Sequence, residues 1–100
     1  MIGAQKFHFD NCKIAVALRA GRAAVGWSQQ EFAEKMGVAK STIARIETLE
    51  MTPKRDFVMR AVSLFREAGL EVDVHSSNGI PIKIGPAVIQ SALEELSRQE

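Results

Sequence analysis

The 100-residue chain is predicted to be mainly α: a four-helix core followed by a β-hairpin and a C-terminal helix. Three observations carry that expectation. Apolar residues recur at three- and four-residue spacing as far as Phe65, the period drops to two between Leu70 and Ile84, and the helical spacing returns from Val88 to Leu96. The composition, 46% apolar and 25% charged, is that of an ordinary globular chain. No apolar run approaches the roughly 20 residues of a membrane span.

Taken in order, Asp10 is read as the N-cap of the first helix, whose positions Ile14, Ala17, Leu18, Gly21 and Ala24 share a face up to Gly26. Ser28 caps a second helix, with Glu31 in capping-box position. Phe32, Ala33 and Met36 form its buried side, and Gly37 stops it because glycine accepts positive φ without penalty. The third helix, from about Ala39 to Thr48, turns Ile43 and Ile46 inward and leaves Lys40, Ser41, Thr42, Ala44 and Arg45 elsewhere. Thr52-Pro53 opens a fourth, with proline at the first helical position and a stripe of Phe57, Val58, Ala61, Val62, Leu64 and Phe65. Gly69 ends it.

Leu70, Val72 and Val74 then alternate with Glu71, Asp73 and His75, as in a strand buried on one side. Ser76-Ser77-Asn78-Gly79 is the expected turn, Asn-Gly being a strong signal for a tight hairpin, and Ile80, Ile82 and Ile84 return. Gly85-Pro86 starts a last helix with Val88, Ile89, Ala92, Leu93 and Leu96 on one face.

Charge divides the chain. Residues 1–60 hold ten Lys or Arg against six Asp or Glu, and residues 61–100 hold three against six, so a basic front precedes an acidic back. A polyanion would be met by the front only. Cys12 stands alone and closes no disulfide within the chain, which fits a reducing cytosol. The N-terminal ten residues lack the continuous hydrophobic segment of a signal peptide.

The stretch from Trp27 to Glu47 packs a short helix, a tight turn at Gly37 and a second helix into 21 residues, the geometry of a DNA-binding helix-turn-helix. Ala33 is small where the two helices cross. Val38, Ile43 and Ile46 lock the second helix down and leave its other side free for a major groove. Trp27 is read as a core plug at the helix junction. On this basis residues 10–69 form a helix-turn-helix DNA-binding domain, and residues 70–100 a hairpin and helix for dimerisation.

The segment from about Ile14 to Leu70 resembles the Cro/phage-repressor (XRE-type) helix-turn-helix family. Gly26-Trp27-Ser28-Gln29, Phe32-Ala33, Gly37-Val38, Ile43, Ile46 and Glu47 all fall in the register of its signature. The resemblance implies base contacts by Ala39, Lys40, Ser41 and Arg45, and backbone contacts by Gln29, Thr42, Lys54 and Arg55. It implies that Arg22 and Glu47 form a structural pair tying the first helix to the end of the third. The chain departs from the pattern after Glu47: members continue with Asn-Gly and a short basic loop, whereas here Thr48-Leu49-Glu50-Met51 follows. Glu50 suits phosphates poorly.

One recognition helix reads only four or five base pairs, and family members answer this by dimerising on two half-sites. The stripe Val88, Ile89, Ala92, Leu93 and Leu96 is the expected dimerisation surface, with folding back onto the chain's own core as the alternative. The edge of the hairpin could also pair across a two-fold axis. The expected function is a small sequence-specific transcriptional regulator, a prophage or mobile-element repressor binding a palindromic operator in double-stranded DNA as a homodimer in the bacterial cytoplasm, at the nucleoid. Alternatives are an antitoxin-type protein whose C-terminal part docks a toxin or other protein antagonist, and an interaction module that has lost DNA binding. No cofactor, metal or membrane is expected, and no enzyme: His8 and His75 are far apart, His8 reads as a partly buried structural residue, and neither a phosphate loop nor a nucleophile triad can be argued.

Overall fold

The structure is a computed structural model that describes residues 2–76 and 78–98, with side chains from Phe9 onward. The elements run α1 (Ile2–Val25), α2 (Gln29–Met36), α3 (Lys40–Glu47), α4 (Arg55–Glu67), β1 (Leu70–Val72), β2 (Ile82–Ile84) and α5 (Pro86–Arg98). The predicted order of four helices, hairpin and final helix is observed. No described helix is long and apolar enough to cross a membrane.

Helix α1 starts at Ile2, eight residues before the expected cap, and Asp10 lies within it. Its inner face is the predicted one: Ala17, Leu18 and Gly21 are buried and Ile14 and Ala24 half-buried. Gly21 is required by close approach. A Cβ there would lie 2.8 Å from Cε2 and Cζ of Phe65. That ring stacks on Phe32 and Trp27, with centroids 5.4 and 5.8 Å away. The three rings join α1, α2 and α4 around a core that also takes Met36, Ile43, Ile46, Phe57 and Ala61.

Helix α2 begins with the predicted capping box. Glu31 N–H donates to Ser28 Oγ at 3.0 Å, and the Glu31 carboxylate accepts from Ser28 N–H at 3.2 Å. It ends at Gly37, which takes φ 71°. Helix α4 corrects the proline prediction. Its N-cap is Lys54 and its first residue Arg55, so Pro53 lies outside the helix, where its fixed φ shapes the entering loop instead.

The hairpin spans the predicted residues, but its strands are shorter and its connection longer than predicted. Leu70 pairs with Ile84 and Val72 with Ile82, leaving residues 73–81 as the connection, and Val74 and Ile80 lie outside the strands. The reason is parity. A two-residue turn at Asn78-Gly79 would set Val72 opposite Gly85 and Val74 opposite Lys83, sending the isoleucines to the face away from Leu70 and Val72. The observed register puts all four apolar residues on one face, where Leu70 and Val72 are buried, Ile82 is half-buried and Ile84 lies at the exposed edge. Pro81 lacks the N–H to extend the ladder, although its carbonyl accepts from Asp73 N–H at 3.0 Å. Lys13 Nζ donates to the Ser76 carbonyl, holding the connection against α1.

Leu70, Val72 and Val88 share the core of the helical body. The rest of α5 does not. Ile89, Leu93 and Leu96 are 60%, 56% and 62% exposed.

Candidate nucleic-acid interface

Helices α2 and α3 pack closely through Ala33, which is fully buried. Helix α3 then presents two sides. Ile43, Ile46 and Glu47 face the body, while Ser41, Arg45 and Thr48 follow one another at four- and three-residue spacing on the open side. Lys40 is exposed about 100° round from Ser41. Among the described residues, the side chains of Lys40, Ser41 and Arg45 take no hydrogen-bond or ion-pair partner. Ala39 is the N-cap and offers no side-chain cap, so the first N–H groups of α3 are left for an external acceptor.

What holds α3 in this pose is a buried carboxylate. Glu47 has 2% of its side chain exposed. It accepts from Arg22 Nε and from a terminal guanidinium nitrogen of Arg22, both at 2.9 Å, and from Gln29 Nε2 at 3.1 Å. A further guanidinium N–H of Arg22 reaches the Trp27 carbonyl at 3.1 Å. One carboxylate thus ties α1, α2 and α3 together, with the α1–α2 turn drawn in through Arg22. The hydrogen bond to Glu47 raises the Arg22 pKa above its ordinary value, against the opposing effect of partial burial. Arg22 is therefore charged at every ordinary pH. The implied Arg22–Glu47 pair is present in full.

The implied backbone contacts fall in two places. Gln29 is the first residue of α2, and its amide is held by Glu47 rather than standing free, so its backbone N–H is the group left for a phosphate. Thr42 and Lys54 line one open groove between α3 and α4, of about 940 Å³, and Arg55 follows at the exposed start of α4. Thr48, the exposed C-cap of α3, extends the stripe of Ser41 and Arg45 at i, i+4, i+7 spacing, beyond the residues that the resemblance implies.

The loop after α3 closes in an unusual way. Leu49 N–H donates to the Ile46 carbonyl at 3.2 Å and Glu50 N–H to the Arg45 carbonyl at 2.8 Å, the two bonds of a Schellman motif. Leu49 is its left-handed residue, at φ 66°, and is 51% exposed. The Glu50 carboxylate accepts from the Thr48 hydroxyl at 2.9 Å.

Among the described residues no group of His, Cys, Asp and Glu is arranged to hold a metal ion. A family model described as helix-turn-helix matches residues 18–67, half of the chain, and the chain belongs to that family, the Cro/repressor type of DNA-binding regulator. No curated protein and no solved structure was found to match the chain.

Proposed function

We propose that this member of the helix-turn-helix family is a small transcriptional repressor of prophage or mobile-element type, which binds a palindromic operator as a homodimer and blocks polymerase. The observation that carries the reading is the open side of α3, with Arg45 and Ser41 free of partners on a helix pinned from behind by Glu47. Arg45 pairs with guanine O6 and N7, the commonest specific contact, and Lys40, Ser41 and Ala39 meet neighbouring base edges. Gln29, Thr42, Lys54 and Arg55 meet phosphates and set the register.

The exposed stripe on α5 supports dimerisation. Val88 packs on the body, and Ile89, Leu93 and Leu96, with Ala92 beside them, form the surface offered to a second copy. Six large side chains, each a little over half exposed, give on the order of 5–10 kcal/mol when buried in a pair. Association entropy opposes this with about 4–15 kcal/mol. The dimer is therefore weak when free and strengthened by two adjacent half-sites.

Selection of bound DNA from a random pool tests the reading. The expected outcome is a two-fold symmetric site with half-site centres about 10–11 base pairs apart. With Lys54 and Arg55 on phosphates in both copies, affinity falls about a hundredfold between 50 and 200 mM salt. Absence of any enriched sequence at low salt would overturn it. A stoichiometric, different protein on α5 in the native host would instead favour the antitoxin-type alternative.

A further inference from the structure

Helix α1 carries a second apolar stripe, which the body leaves uncovered. Phe9, Cys12, Val16, Ala20 and Ala23 recur at three- and four-residue spacing on the side opposite Ile14, Leu18 and Gly21, and all five are exposed. Phe9 and Val16 are 55% and 46% exposed. Beside them a cavity of about 300 Å³ opens between α1 and the hairpin, its far wall made by Gly79, Ile80 and Ile82. At its other end the stripe runs into the cleft where Ala23 of α1 faces Ala92 and Leu96 of α5. The exposed apolar faces of α1 and α5 are thus one continuous surface.

Size, length and charge name what covers it. A stable pair of proteins buries about 800 Å² on each partner, and the three exposed aliphatic side chains of α5 supply roughly 300 Å² at most, so α5 alone does not make the interface. The α1 stripe from Phe9 to Ala23 is about 21 Å long, and α5 is about 20 Å long. Lys13 and Arg19 flank the α1 stripe, one on each side. Glu94 and Glu95 flank the α5 stripe in the same way, Glu95 being shared with Arg98 at 3.6 Å. Helix α1 on α1 would set the basic pairs together, and α5 on α5 the acidic pairs. Only α1 on α5 sets unlike charges face to face. We propose that the α5 of a second copy lies along the outer face of α1, and reciprocally, with Ile89, Leu93 and Leu96 seated on Phe9, Val16 and the adjoining cavity. This rests on the homodimer reading given above and supplies the surface that the α5 stripe meets.

Cys12, the single cysteine of the chain, lies on the α1 stripe and provides the test. On the two-half-site DNA that the wild type selects, a short bis-maleimide joins Ala92→Cys into a covalent dimer. It does not join the wild type, which offers Cys12 alone, or Cys12→Ser/Ala92→Cys, which offers position 92 alone. In sedimentation without DNA, Phe9→Ser/Val16→Ser weakens self-association about tenfold and leaves the thermal midpoint unchanged. Arg19→Glu weakens it about fivefold, and Glu94→Lys/Glu95→Lys in the same chain restores it. The proposal is overturned if Ala92→Cys gives no covalent dimer. Joining of the wild type, meaning α1 on α1, or of Cys12→Ser/Ala92→Cys, meaning α5 on α5, also overturns it. So does undiminished association of Arg19→Glu, a reading that stands even where Phe9→Ser/Val16→Ser lowers the midpoint. Failure of the homodimer reading is seen separately, in the wild type alone, as a monomer at every concentration and no two-fold site.

Discussion

Helices α4 and α5 are each 13 residues long and each carries an apolar stripe, but they end in different surroundings. Helix α4 buries Phe57, Val58, Ala61, Val62 and Phe65 against three other elements, whereas α5 buries Val88 alone and leaves Ile89, Leu93 and Leu96 exposed. The difference arises from neighbours rather than from pattern. Helix α4 enters a core already framed by α1, α2 and the Trp27–Phe32 ring stack. Helix α5 leaves the hairpin at the edge of that core and crosses the end of α1, near Ala23–Gly26. An amphipathic stripe states that something will cover it, and says nothing of what.

The comparison can be broken or sharpened by substitution. The largest effect is expected at Phe65→Ala, which removes a fully buried ring and should lower unfolding free energy by about 3–5 kcal/mol at any protein concentration, measured by urea denaturation. If the loss were under 1 kcal/mol, α4 would not be the buried partner described here. Next is Arg22→Ala. It leaves Glu47 buried without its cation and should cost about 3 kcal/mol, while Glu47→Gln with Arg22→Met recovers part of that. Because hydrogen bonding raises the Arg22 pKa, the stabilisation contributed by its charge is complete below the ordinary arginine range and is lost only as pH rises through the still higher folded value. Stability scans from neutral to mildly alkaline pH should therefore show no step from this pair.

Smaller effects follow on the surfaces. Arg45→Ala should weaken operator binding by about 1–3 kcal/mol and relax preference at one base, leaving the thermal midpoint unchanged, as read by competition binding against mutated sites. Ser28→Ala removes the capping hydroxyl of α2 and should cost about 1 kcal/mol of stability. The smallest effect on the monomer is expected at Leu93→Ser, within about 0.5 kcal/mol in dilute solution. The same change should abolish concentration-dependent dimer formation in sedimentation. A large loss of monomer stability there would place Leu93 in the core after all and erase the contrast with α4.

The body of the fold was legible because its signals are local. The Ser28–Glu31 box, the positive φ at Gly37 and the inward set Phe32, Ala33, Met36, Ile43 and Ile46 each depend on residues a few positions apart. The hairpin itself is legible but its turn is not, because Asn78-Gly79 favours a tight turn locally while the strand register depends on which face the isoleucines take. The even-numbered pattern on both strands already excluded a two-residue turn there. Asp10 lies inside α1 rather than capping it, because a local acceptor marks where a helix can start, not where it must. On α3, the outward position of Ser41 and Arg45 is legible from spacing and their contact role only from the family resemblance, while the left-handed turn at Leu49 is visible only in the backbone angles.

By itself, then, the sequence determined the element order, the capped helix-turn-helix, the inner faces of α1 to α4 and the split of charge between front and back. Caps, turns and periodicity act within one or two helical turns, so they can be read along the chain. Only the tertiary structure decided that Glu47 joins three helices through Arg22 and Gln29, that Gly21 makes room for Phe65, that the strands pair 70 with 84, and that α5 keeps its stripe outside. Each of these depends on which distant groups meet, and therefore on how the whole chain shares out a limited amount of buried surface.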